Sequence, residues 1–281
     1  VISVMILTLN EERDLPGCLA SVAWCDDVWV FDSYSTDGTV AIAEAAGARV
    51  MQRRFDNWAS HQNWAMENIP FKHPWVFYID ADERMTDGLR ISMQQVTASP
   101  GENVAFVVQR RDFMDGTWLK HVQLSAWYMR LFQPSKMRYE RLVNPVSLVS
   151  GPSRRIDGYL DHFPFSKGVS YWIQRHNDYS SKEAQQLLLN RADAPAFSLK
   201  DALFHKDFQA RRKQQKQLFY RLPGRPVLKF LLIYFVKRGF LDGHAGLTYA
   251  LLQSVYEYFI VLKTRELERD AIRRQTGKEA Q

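Results

Sequence analysis

The sequence predicts an α/β protein with a mostly parallel central sheet, followed by amphipathic helices at the C-terminal end. Three observations predict it. Trp75-Val-Phe-Tyr-Ile79 is an unbroken apolar run that ends in Asp80-Ala-Asp82, as expected of a strand buried on both faces. Strand-like and helix-like segments alternate through the first eighty residues, the pattern of parallel strands joined by right-handed crossovers. Polar clusters follow successive strands, where open α/β sheets place their ligands.

In order, Val1 to Leu9 reads as a buried strand, and Asn10-Glu11-Glu12 opens a helix carrying Leu15, Cys18, Leu19 and Val22 at helical spacing. Asp27 to Asp32 is a second strand. Thr36-Asp-Gly-Thr39 turns into a second helix that Gly47 terminates, since glycine takes the left-handed position after a helix at no steric cost. Ala48 to Gln52 is a short third strand, a helix bearing Trp58, Gln62, Asn63 and Met66 follows, and the strand to Asp80 closes the series. Beyond a helix starting near Thr86, residues 103–109 and 125–132 read as further strands of the sheet. Residues 137–150 read as irregular and 160–165 as extended, and a helix runs from Ser170 to about Arg191. Domain boundaries are set at 1–204 for the α/β domain and 205–281 for a basic, apolar helical extension.

Composition narrows the function classes. The chain has 281 residues, 46% of them hydrophobic and 24% charged, ordinary for a globular protein. Cys18 and Cys25 are the two cysteines and form no CxxC pair, which argues against a disulfide framework or structural zinc and fits a reducing cytoplasm. The sequence opens on its first strand without an initiator Met, and no secretory signal is expected before that strand. From His205 onward there are 16 Lys or Arg against 7 Asp or Glu, so the net charge of +6 divides into +9 for the tail and −3 for the body. Such a tail suits an anionic surface. Its charges alternate with large apolar residues and no nucleic-acid module is recognisable, so a membrane is expected and nucleic acid is not. Val227 to Phe240 is interrupted by Lys229, Lys237 and Arg238, and Ala245 to Leu262 by Gln253 and Glu257. Neither meets the requirement of about 20 apolar residues for a span. A hairpin lying in the membrane interface is expected, with packing on the domain or a second subunit as the alternative.

Asp80 and Asp82 are two apart, so in extended chain they project to one side. Two hard oxygen ligands on a short turn suit Mg2+ or Mn2+, with the other positions left to water and a substrate diphosphate. The competing reading makes Asp82 the cap of the next helix and Asp80 a strand end.

Taken together, the motifs resemble the inverting glycosyltransferases of family 2 with the GT-A fold, nearest to bacterial lipopolysaccharide-core and exopolysaccharide hexosyltransferases. Thr8-Leu-Asn-Glu-Glu12, Asp32-Ser-Tyr-Ser-Thr-Asp37 and Asp80-Ala-Asp-Glu83 look like the family's opening, nucleoside and metal motifs. Arg130-Leu-Phe132, His176-Asn-Asp-Tyr-Ser180 and Arg238-Gly-Phe-Leu-Asp-Gly243 resemble later segments. The resemblance implies that Thr8, Asn10, Glu11, Asp32, Ser35, Asn63 and Asp80 surround a nucleotide-diphosphate sugar, Asp32 by bonding the nucleoside. It implies that Asp80 and Asp82 hold a divalent cation that stabilises leaving-group charge. As helix-terminus residues, Asp32 would instead be a cap and Glu11 a first-turn acid.

Two positions depart from the family. Gln62 stands where relatives often carry Arg or Lys, leaving Arg53, Arg54 or Arg84 to supply the missing cation. Val143-Asn144-Pro145 stands where relatives commonly show V-H-E, so the family's base is absent. Inverting transfer needs a proton acceptor, and the order of candidates is Glu140, Asp161, His162, with a surface ion pair as the competing role of Glu140. Trp118, Trp127, Tyr128, Tyr171 and Trp172 are candidates for sugar stacking, or for core and interface.

The expected function is hexose transfer from a nucleotide sugar to a lipid-linked or lipopolysaccharide or exopolysaccharide acceptor, peripheral on the inner face of the bacterial cytoplasmic membrane. The alternatives are a polyprenyl-phosphate sugar synthase and a degenerate nucleotide-sugar-binding scaffold.

Overall fold

The computed structural model describes residues 1–123, 125–140, 146–192, 198–204 and 224–278, with Asp207, Arg211, Gln214, Gln215, Leu218, Phe219, Tyr220 and Leu222 between the last two segments. It divides into two compact units: residues 1–118 with 123–167, and residues 119–122 with 168–281.

The first unit holds the sheet. Its strands are β1 (Ile2–Thr8), β2 (Val28–Asp32), β3 (Arg49–Gln52), β4 (Trp75–Asp80), β5 (Glu83–Met85), β6 (Ala105–Met114), β7 (Thr117–Trp118), β8 (Trp127–Phe132) and β11 (Ser153–His162). The order is β3-β2-β1-β4-β8-β6-β11-β5, with β7 paired to β6. The β3-β2-β1-β4 part is parallel, β8 is antiparallel to both neighbours, and β11 runs parallel to β6. This is the parallel-rich sheet that the sequence implies, with both later strands added to it.

The apolar runs of β1 and β4 are buried on both faces because alternate residues serve two cores. Ile2, Val4 and Ile6 join Trp75, Phe77 and Ile79 against α1 (Leu15–Ser21) and α4 (Asp87–Ala98). Met5 and Leu7 join Val76 and Tyr78 against α3 (Trp58–Asn68). Fully burying one such side chain contributes about 1.5–3 kcal/mol, so these two strands anchor the unit.

Three local differences from the sequence reading have physical causes. The first helix begins at Leu15 rather than Asn10, because residues 10–12 bond across to the loop preceding α2 (Thr39–Ala45), with Asn10 at φ 57°. Thr86, not Asp82, caps α4 by accepting from Leu89 N, and Glu83–Met85 form an edge strand antiparallel to β11. Residues 137–149 are not wholly irregular: β9 (Met137–Glu140) and β10 (Val146–Val149) form a separate antiparallel pair, with Met137 and Tyr139 buried.

His61 on α3 is 1% exposed and stacks on Phe31 at 4.2 Å. Arg53 donates to its Nδ1 at 3.0 Å. Burial, and then the Arg53 charge, push its pKa from 6.5 down to about 4. Unfolding exposes an imidazole that takes a proton at the higher value. Stability is therefore complete above pH 6.5 and falls by roughly 1.4 kcal/mol per unit as the pH drops toward 4. Urea unfolding of wild type and His61→Asn across that window checks this; parallel slopes would remove His61 as the cause.

The second unit is helical: α5 (Val169–Ala192), α6 (Leu199–Phe204), α7 (Arg225–Leu231), a π-turn (Leu232–Val236), a 3-10 turn (Gly239–Asp242) and α8 (Gly243–Lys278). Lys263 on α8 donates to Asn177 O, Asn177 Oδ1 and Ser181 Oγ of α5 at 2.6–2.8 Å. Buried Arg225 pairs with buried Glu257. Asp242 accepts from His121 N and Val122 N at 2.8 and 2.9 Å, and a Cβ at Gly246 would stand 2.1 Å from Gly239 O. Most of the helix expected from Lys206 to Arg221, together with Pro223 of the break after it, lies outside the described residues. The stretch Gly239–Arg273 is long and apolar enough to cross a membrane by length and composition. The sequence reading set Ala245 to Leu262 below that limit because its eighteen residues are broken by Gln253 and Glu257.

Candidate active site

The site forms where β2, β1 and β4 end side by side. Register pairs Thr8 with Asp32 and Leu7 with Asp80, so the acids of the second and third motifs emerge two strands apart on one edge.

Asp32 is fully buried and is held by four bonds. Thr8 Oγ1 and Ser35 Oγ donate to Oδ1 at 2.9 and 2.5 Å, and Ser35 N and Gln52 Nε2 donate to Oδ2, each at 2.9 Å. Burial raises its pKa, but these bonds together outweigh burial and leave it below the ordinary carboxylate value. Much of the surrounding motif laces two loops together. Asn10 N donates to Ser35 Oγ, Thr36 N to Asn10 Oδ1, Glu12 N to Asp37 Oδ2 and Gly38 N to Glu12 Oε2, over 2.8–3.2 Å. Asn63 also serves the frame: its amide donates to Tyr139 O at 2.9 Å and accepts from Tyr139 N at 2.8 Å.

Asp80 and Asp82 lean on different cations. Arg130 donates to Asp80 Oδ2 at 2.9 Å and to Glu83 Oε1 at 2.7 Å, while Tyr78 Oη donates to Asp80 Oδ1 at 2.5 Å. His162 Nε2 lies 3.3 Å from Asp82 Oδ2, and its Nδ1 bonds Asp112. Burial lowers the His162 pKa, but Asp112 and Asp82 overcome it and lift it to about 9. His162 is therefore an imidazolium at neutral pH. Burial pushes Glu83 up to about 7 against the pull of Arg130. The side chains of Asp80 and Asp82 remain 31% and 22% exposed.

Glu11 shows the same excess of negative charge. Its Oε2 is buried without a hydrogen-bond partner, and its pKa rises to about 7, mainly through burial, with Asp82 and Asp14 adding to the rise. Two rim carboxylates, one of them Asp82 near enough to raise the Glu11 pKa, fit a hard divalent cation. Among the described residues there is no ready-made cluster of three His, Cys, Asp or Glu ligands, so water and substrate oxygens would complete any such shell.

Sequence reasoning missed Lys167. Its Nζ donates to Glu11 Oε1 at 2.7 Å and to Asn10 O at 2.8 Å, and the neighbouring Ser166 bonds Asp14. Two of the cations expected in its place have other work. Arg53 is held by Asp56, Ser60 and His61, and Arg84 by the carbonyls of Asp14, Ala81 and Glu83. No motif marked Lys167, because 156 positions separate it from Glu11.

Of the three candidate bases, the structure brings His162 to the rim acids, 3.3 Å from Asp82, and does not gather Glu140 and Asp161 there. Glu140 is exposed at the end of β9, outside the central sheet. Asp161 is clamped by Arg111 at 2.7 and 2.8 Å. The Val143-Asn144-Pro145 segment lies outside the described residues. Of the aromatics, Trp172 is buried and stacks on His176 at 3.5 Å, while Trp118 and Tyr128 lie beside Arg111 and Arg110.

A parallel-rich sheet with paired acids at its rim places the candidate site where open α/β sheets bind their ligands. Residues 3–155 match the family described as Glycosyl transferase family 2, and the chain belongs to that family. It is 28% identical over 273 residues to the lipopolysaccharide core biosynthesis glycosyltransferase LpsC of Rhizobium meliloti, covering 93% of this chain and 91% of that one. It is 25% identical to an uncharacterized glycosyltransferase of Rickettsia bellii, covering 95% and 86%. Among solved structures it is similar to glucosyl-3-phosphoglycerate synthase from Mycobacterium tuberculosis in complex with Mg2+ and uridine-diphosphate. That likeness has 23% identity and a TM-score of 0.34, and covers 40% of this chain and 43% of that one.

Proposed function

We propose that this glycosyltransferase is an inverting, metal-dependent hexosyltransferase. It would take its sugar from a nucleotide diphosphate and pass it to a lipid-linked saccharide of the lipopolysaccharide core, on the inner face of the bacterial cytoplasmic membrane. The observation that carries the reading is the register that sets Asp32 beside Thr8 and Asp80 beside Leu7 on one sheet edge, in a chain of this family. Relation to a lipopolysaccharide core enzyme supports the acceptor class.

In this reading Asp32 accepts from the nucleoside. Gln52, exposed at the end of β3, is the donor that the nucleoside replaces. Asp80 and Asp82 hold a divalent cation, which when bound supplies positive charge to the diphosphate leaving group. Lys167 exchanges Glu11 for a phosphate oxygen and provides the cation missing at Gln62. Arg130 and His162 orient the two rim carboxylates. Asp161 does not serve as the proton acceptor in this reading, since both of its oxygens are already bound by Arg111.

Thermal shift with UDP-, GDP- and dTDP-sugars in Mn2+ tests the donor assignment. The correct nucleotide at about a hundredfold above its Kd raises the melting temperature by several degrees, and a flat response to every nucleotide defeats it. Lys167→Ala then weakens nucleotide-diphosphate binding about tenfold or more, while affinity for the bare nucleoside is unchanged. Calorimetry that finds equal loss for both ligands moves Lys167 out of the phosphate subsite.

The apolar stretch Gly239–Arg273 favours a second reading, transfer to polyprenyl phosphate. Mass analysis of the lipid product distinguishes the two.

A further inference from the structure

The helical unit exposes an apolar surface between the start of α7 and the end of the 3-10 turn. Eight of the fifteen residues from Val227 to Leu241 are large, apolar and open, Val236 at 72%, Val227 at 62% and Phe235 at 54%. A contiguous patch of this kind on a soluble protein marks an interaction surface. The same segment carries Lys229, Lys237 and Arg238, and residues 208–241 contain nine Lys or Arg and no Asp or Glu.

We infer that Val227–Leu241 seats the chain in one leaflet of an anionic bilayer, its apolar side chains at the acyl boundary and its lysines and arginine among lipid phosphates. The inference deepens the membrane-associated reading above and rests on it. Charge selects this occupant. A second copy packed symmetrically would bring Lys229, Lys237 and Arg238 against their own counterparts, with no acid in the segment to receive them. An anionic headgroup layer complements all three, and long basic side chains reach it while their stems stay in the apolar layer.

The neighbouring helix α8 is tied to α7 and α5 at polar points. Glu257 is buried on Arg225, and Lys263 is bound to α5. The exposed apolar residues of its central part, Leu251, Val255, Tyr258 and Leu262, follow one narrow helical stripe.

Flotation of the full chain with phosphatidylcholine vesicles, with and without phosphatidylglycerol, tests the inference. Wild type floats with the anionic vesicles and stays behind with the neutral ones. The double variants Phe235→Asp/Val236→Asp and Lys229→Glu/Lys237→Glu each lose flotation about tenfold or more, with melting temperature and nucleotide-induced stabilisation unchanged. Variants that float like wild type overturn the assignment, as does equal binding to neutral vesicles. Wild type that ignores vesicles and sediments as a dimer, split by Phe235→Asp, gives the surface to a second copy. Membrane-bound protein that resists alkaline carbonate shows α8 to be a span. Absence of any nucleotide response in wild type that floats strikes the transferase chemistry and leaves the docking surface standing.

Discussion

Asp82→Asn is expected to lower hexose transfer at least a hundredfold, with a melting temperature close to wild type. Asp82 would act by holding the cation that steadies negative charge developing on the leaving group, and loss of one such electrostatic stabiliser typically costs about 10²–10³ in rate. Asp82 is the cleaner of the two rim acids to change. It is partly exposed, and its recorded partner His162 keeps a bond to Asp112. Asp80, by contrast, shares Arg130 with buried Glu83, so its replacement disturbs folding as well. EDTA should reproduce the Asp82→Asn loss in wild type, and Mn2+ or Mg2+ should restore activity to wild type but not to the variant. Transfer at near wild-type rate in EDTA would remove the metal from this site.

Arg130→Met should destabilise the first unit by about 3–5 kcal/mol, the usual cost of stripping one partner from a buried ion pair. Arg130 is 4% exposed and Glu83 fully buried. Of the other cations near Glu83, Arg110 stands 3.6 Å from Oε1 but is shared with Asp112 at 3.1 Å, and His162 is shared between Asp112 and Asp82. Adding Glu83→Gln should recover much of the loss, because the uncompensated charge then disappears. Denaturant titration of the single and double variants measures both effects. A single-variant loss below about 1 kcal/mol would show that solvent reaches Glu83 and that Arg130 does not stabilise the turn through it.

What could be read before the fold was known is the part that local pattern specifies. The run Trp75–Ile79 announces a strand buried on both faces, and the structure divides it between two cores. The order of motifs indicates the family, which residues 3–155 match. Residues 10–12 were less legible, because an acidic, polar opening reads as a helix start until a second loop bonds to it across 25 positions.

The sequence alone determined the strand and helix alternation, the acids at the strand ends and the basic, acid-free stretch before Asp242, since each depends on neighbours along the chain. Tertiary structure decided which polar groups remain for chemistry. Asn10, Asp37 and Asn63 are engaged in holding loops and β9, Asp161 is engaged by Arg111, and Glu11 keeps a carboxylate oxygen without a partner while Lys167 meets it from far along the chain. The physical reason is that hydrogen bonds and charge pairing are satisfied between elements distant in sequence, and no local spacing records which side chain has been used.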